Sequence, residues 1–138
     1  MDGKLHFGKH WMRLEGDILY CKYTGLISVP DVRESMQLLD KMLVPGRTYY
    51  IIADVADVTG MEAEARRIST EWFATHNIGG AVNFGAGAVT RAIAALILSM
   101  LRLLHRNHMS SEFVKTEEEA RAWVEAQRRR RSAASPSR

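Results

Sequence analysis

Tyr49-Tyr50-Ile51-Ile52-Ala53-Asp54 is a short apolar run that closes on a carboxylate, and Val55-Ala56-Asp57-Val58-Thr59-Gly60 follows it at once. A run of this length, rich in aromatic and β-branched residues, suits a strand buried on both faces. The second half reads as a polar loop feeding a helix. In open α/β sheets, ligands gather where strand ends meet helix starts. The stretch therefore predicts a central strand and, next to it, a working surface at Asp54, Asp57, Thr59 and Gly60.

The chain on either side completes an α/β pattern. Upstream, Ser28 opens a helix: its hydroxyl caps, Pro30 fits the first turn and Asp31 complements the helix dipole. Val32, Met36, Leu39 and Leu43 recur at helical spacing, and Pro45-Gly46 stops the run. Further back, residues 7–14 and 18–23 read as two strands around a Glu15-Gly16-Asp17 turn, with Thr24-Gly25 ending the second. His10, Met12 and Leu14 alternate with Trp11, Arg13 and Glu15, as in an antiparallel edge with one wet face.

Downstream, residues 59–77 read as a second helix. Thr59 is its N-cap, Glu62 takes the capping-box position, and Met61, Ala65, Ile68, Trp72 and His76 form its apolar stripe. Ile78-Gly79-Gly80 ends it, and residues 81–84 form a short strand. Gly85-Ala86-Gly87 is a loop, and Thr90 caps a third helix running from Arg91 to about His105. Residues 112–115 are a last strand. Thr116 and Glu119 form a capping box for a final helix, 117 to about 127, with Ala120, Trp123 and Val124 inward. The order ββαβαβαβα predicts a mostly parallel sheet with an N-terminal antiparallel hairpin and flanking helices.

The 138 residues make one domain, long enough to bury a core without staples. The domain is expected over residues 1–127, with 128–138 a basic disordered tail. Five of the 19 basic residues and no acid fall in that tail, so residues 1–127 carry 14 basic against 16 acidic groups. The positive net charge belongs to the tail, which argues against a specific nucleic-acid face on the fold. A single cysteine, Cys21, excludes an internal disulfide and fits a reducing cytoplasm. The start lacks an apolar stretch behind basic residues, predicting no signal peptide. The longest apolar run, 92–101, is too short to span a bilayer.

The layout and the residues that fill it resemble the SpoIIAA-like branch of the STAS/SEC14 group. The likeness lies in residues 18–25 followed by Ser28, in 50–54, and in the closing Phe113-Val114-Lys115-Thr116-Glu117-Glu118-Glu119-Ala120-Arg121-Ala122-Trp123. It covers about residues 5–127. It implies, on the STAS side, a non-enzymatic cytoplasmic regulatory module that binds a protein partner and is phosphorylated at a Ser or Thr opening the helix after the central strand. Thr59 is the matching position, although Asp57-Val58-Thr59-Gly60 departs from the Asp-Ser-Ser-Gly-type sequence usual there. On the SEC14 side, it implies a cavity for an apolar or lipid-like molecule.

Each candidate has a plain alternative. Thr59 is either a phosphoacceptor, stabilised by helix N–H groups, or a simple N-cap. Asp54 and Asp57 either meet a partner or cation, or cap the loop. Ile93, Leu96, Ile97, Met100 and Leu104 give the third helix a wide apolar face. That face serves packing, an apolar ligand, or a homodimer. Gly85-x-Gly87 lacks the remainder of a phosphate-binding loop. His105-x-x-His108 has metal-ligand spacing but no neighbouring Cys, Asp or Glu, so no metal is expected. No nucleophile–base–orienter set and no cofactor loop is visible, which predicts a non-enzyme without cofactor.

Overall fold

The computed structural model describes residues 3–103 and 110–134. Six strands form one sheet in sequential order: β1 (Leu5–Phe7), β2 (His10–Glu15), β3 (Ile18–Ile27), β4 (Tyr49–Met61), β5 (Ile78–Phe84) and β6 (Ser110–Val114). The pairs β1–β2 and β2–β3 are antiparallel; β3–β4, β4–β5 and β5–β6 are parallel. The helices are α1 (Val29–Met42), α2 (Ala63–Thr75), α3 (Ala88–Leu103) and α4 (Glu117–Ala134). This is the expected α/β class, with an antiparallel N-terminal part and a parallel remainder.

Right-handed crossovers between neighbouring strands put every crossover helix on one face. The packing agrees. Leu39 of α1 and Trp72 of α2 share a buried cluster with Leu19, Cys21, Ile51, Ala53 and Ala81. The alternate residues, Ile18, Tyr20, Tyr50, Ile52 and Val82, point the other way, onto Ala120 and Val124 of α4. The central strand is thus buried on both faces, as its composition demands. On β5 the cover is close: a Cβ at Gly80 would stand 2.7 Å from the Trp123 ring, so only glycine admits the α4 indole there.

Several boundaries differ from expectation. The stretch 7–14 is not one strand but two, folded at Gly8-Lys9 with Gly8 at φ +60°. β3 runs past Thr24-Gly25 to Ile27, with Gly25 at φ +72° and register shifts on either side. Ile78-Gly79-Gly80 begins β5 rather than ending a helix. Thr90 lies inside the first turn of α3, which starts at Ala88. α4 continues to Ala134, seven residues beyond its expected end, so the basic segment begins as helix. Arg128 is held there by Asp17 and Glu125.

The largest correction concerns Thr59. β4 continues through it to Met61, because Asp57, Val58, Gly60 and Met61 pair with Thr24 to Ile27 of β3, Thr59 being the extra residue at a register shift between them. The second helix opens at Ala63, with Glu62 as N-cap and no side-chain cap bond. Glu62 instead accepts the N–H of Val29, in the first turn of α1, at 2.6 Å.

Candidate functional site

Asp54 and Asp57 do come together, but around a lysine. Lys22 Nζ stands 3.2 Å from Asp54 Oδ2 and donates to Asp57 Oδ2 at 2.9 Å. Partial burial alone would lower the Lys22 pKa, and the two carboxylates outweigh that and raise it. The two carboxylates therefore share one cation, and the cluster keeps one negative charge in excess. Thr59 is exposed on the strand arm formed by the ends of β3 and β4, and Gly60 is half-buried beside Leu26.

His10 has the surroundings of a catalytic base and lacks the freedom of one. It is fully buried, and its Nδ1 accepts the backbone N–H of Thr24 at 2.9 Å. That places the proton on Nε2, which faces Asp31 Oδ2 at 3.0 Å. Desolvation pushes the Asp31 carboxyl up, but bonds from Ser28 and His10 outweigh it and hold the pKa below its ordinary value. Both imidazole nitrogens are committed, so the ring ties β2, β3 and α1 together and offers no lone pair to a substrate. Cys21 is buried, and burial pushes its thiol up to about 12, far from a nucleophile's range. Among the described residues, no three or more His, Cys, Asp or Glu gather as metal ligands. His105, His108 and Leu104 lie outside the described residues.

The feature that does assemble is a cavity of about 170 Å³ between the sheet and the crossover helices. Its floor is the same sheet face that carries Ile51, Ala53, Val55 and Ala81. Ile93, Ala94, Ile97 and Leu98 of α3 line it from the opposite side. It lies toward the C-terminal ends of the parallel strands, where Val58 and Met61 of the strand arm and Asn83 of β5 also contribute. Open α/β sheets place ligands at that end. A smaller void of about 60 Å³ lies beneath, sharing Tyr23, Ser69 and Phe73 as walls.

The expected apolar face of α3 is therefore divided. Ile93 and Ile97 line the cavity; Leu96 and Met100 point away and are about half exposed, as is Val89, and Leu103 is more exposed still. Sequence reading missed Asn83, Thr90 and Ser111 at the cavity wall. The one available signal was parity: Asn83 shares a strand face with Ala81 in a run otherwise apolar on that face.

A second depression, about 340 Å³, lies at the other end of the strands, between the α1–β4 loop and the end of α2. Several of its polar groups are already used. Tyr49 Oη accepts the Val44 N–H, Asn77 Nδ2 donates to Thr48 Oγ1, and His76 Nδ1 bonds the Trp72 carbonyl.

No family model matches the sequence, and no curated protein matches it. Among solved structures, the chain is similar to an uncharacterized protein of the DUF3478 family with a SpoIIAA-like fold, from Shewanella loihica PV-4. The TM-score is 0.64 at 16% identity, over 89% of this chain and 98% of that one. A structure titled Mglu overlaps at a TM-score of 0.32 and 15% identity, over 77% of this chain and 19% of that one, too loosely to bear on the fold. The chain has a SpoIIAA-like fold. Among the described residues no helix is long and apolar enough to cross a membrane.

Proposed function

We propose that the protein is a non-catalytic binding module that holds a small apolar molecule under α3. The observation that carries this reading is the cavity of about 170 Å³, walled mainly by apolar side chains at the ligand-binding end of the sheet. Concave sites lined mainly by apolar side chains with a few polar groups are where small molecules bind. The commitment of both His10 nitrogens supports the non-enzymatic half of the reading.

Native mass spectrometry of freshly purified protein, followed by denaturing extraction, tests it. An apolar mass lost in an Ala94→Phe variant, whose new ring occupies the cavity, is the expected result. The same adduct retained by that variant places the molecule elsewhere and sinks the reading.

A second reading, a regulatory module meeting a protein partner at Asp54 to Gly60, has one observation in its favour. The strand arm lines the cavity with Val58 and Met61 while leaving Asp57 and Thr59 exposed. A bound molecule would thus touch the strand that a partner meets. Mapping phosphate on the Thr59 peptide in protein isolated from its own cells tests the phosphoacceptor role. An unmodified Thr59 across growth conditions counts against it.

A further inference from the structure

We infer that the cavity's occupant is an uncharged molecule about the size of one six-membered ring, apolar over most of its surface, with a single neutral polar group directed at Asn83. The inference rests on the ligand-binding reading above and adds the chemistry of the ligand.

Size comes first. An apolar protein cavity of roughly 150 Å³ accepts benzene. At about 170 Å³ this one holds a molecule only slightly larger. A long acyl chain does not fit within it and would leave most of its length in solvent at the open side.

Charge comes next. Among the described residues, none of the side chains lining the cavity is Asp, Glu, Lys, Arg or His. A carboxylate or ammonium carried inside would lose its hydration with no counter-charge to replace it, which proteins avoid. The occupant's polar group is therefore neutral.

Its position follows from where the polar side chains without a partner gather: among the described residues, Asn83, Thr90 and Ser111 come from β5, α3 and β6, while Ser69 stands apart from them in the chain, on α2. Ser35 Oγ already donates to the Val32 carbonyl at 2.7 Å, and the Tyr23 hydroxyl is engaged with the Cys21 thiol. Asn83 faces the cavity, since Val82 before it packs toward α4 and Ala81 packs toward the helices of the other face. Asn83 is half-buried, and among the described residues its amide has no hydrogen-bond partner. Thr90 from α3 lines the same cavity. So does Ser111, which pairs opposite Ala81, two residues from Asn83. An amide offers both donor and acceptor, so a hydroxyl, a carbonyl or a carboxamide satisfies it.

The test is a titration of the full chain, followed by amide ¹H–¹⁵N spectra, with benzene, phenol, benzoate and palmitate as probes. Benzene and phenol are expected to shift resonances of α3 and β5, phenol binding about tenfold tighter through its added hydrogen bond. Benzoate and palmitate are expected to leave them unmoved. Asn83→Leu should abolish the preference for phenol and keep benzene binding, which also shows that the variant is folded. In the unaltered protein, equal affinity for phenol and benzene overturns the polar-end assignment. Benzoate or palmitate binding as tightly as phenol overturns the charge or size argument. If neither ring binds, the cavity reading itself falls, and this inference with it.

Discussion

At the scale of single residues, the tightest constraint is the cradle around Asp31. Its carboxylate accepts the Ser28 N–H at 3.1 Å within the α1 capping box and faces the buried His10 ring at 3.0 Å. Gly8 completes the cradle. It sits at φ +60°, and a Cβ there would collide with the Asp31 carboxylate. Gly8→Ala is expected to cost about 2 kcal/mol, from left-handed strain and the lost approach together, measured by urea unfolding. A cost under about 0.5 kcal/mol would mean the cradle gives way easily. Asp31 also sets a pH dependence. Its folded pKa is depressed, so its contribution is present above the unfolded carboxylate range, near 4, and is lost as pH falls through the folded value. Glu15, lowered chiefly by its bond from Arg121, acts in the same direction. The melting temperature should therefore fall on acidification from about pH 5 to pH 2. In Asp31→Asn that fall should be shallower, from a lower starting point; an unchanged slope would remove Asp31 from the account.

At the scale of elements, two segments behave differently from what their local pattern suggests. Thr59 precedes an acidic residue at capping-box spacing, yet the chain there is strand. An N-cap threonine is worth about 1 kcal/mol, whereas an exposed strand threonine changes stability by less than about 0.5 kcal/mol. Thr59→Ala is thus expected to leave stability nearly unchanged, and a loss of a full cap's worth would restore the helix-opening assignment. α4 is the second case. Acids fill its first turn and Arg131 stands in its last, the arrangement that complements a helix dipole. Its hold on the sheet is chiefly apolar, through the fully buried Ala120 and Val124. The ion pairs Arg121–Glu15 and Arg128–Asp17 lie at its edges and are part-exposed. Removing a part-exposed pair costs under about 1 kcal/mol, while deleting two buried methyl groups costs about 2 kcal/mol with the cavity left behind. Val124→Ala should accordingly destabilise more than Arg128→Ala in the same denaturation assay. The reverse ranking would make charge the principal anchor of the helix.

At the scale of the whole molecule, the sheet has two unlike sides. α4 closes one side tightly against Tyr50, Ile52 and Val82. On the other side, α3 has only two buried side chains, Thr90 and Leu101, in sixteen residues, and it roofs the cavity. Few buried contacts mean a low free energy of local opening. Amide hydrogen exchange should therefore release α3 well before β4, and a saturating cavity ligand should slow that release by mass action. Exchange of α3 as slow as that of β4 would show a roof packed as firmly as the rest.

What could be read from the sequence was local. Apolar runs of strand length, the 3.6-residue stripe of α1, the middle of the α2 stripe (Ala65, Ile68 and Trp72), the Ser28 cap and the Thr116 cap on the Glu119 N–H each depend on neighbours a few residues away and appear where the pattern put them, while Met61 falls in β4 and His76 past the end of α2. Their alternation also determined the α/β class, since single strands between helices leave few ways to bury both. What only the tertiary structure decided was long-range. Residues 57–61 are polar enough for a loop and stay extended because β3 pairs with them. The arginines after Gln127 extend a helix because Asp17, 111 residues away in sequence from Arg128, holds the first of them. The cavity belongs to no element. It is a deficit of volume where α3, the sheet and α2 fail to fill the space between them, and its polar end exists because β5, α3 and β6 bring Asn83, Thr90 and Ser111 to one wall. Periodicity says which way a side chain points along its own element; only packing says whether anything is there to meet it.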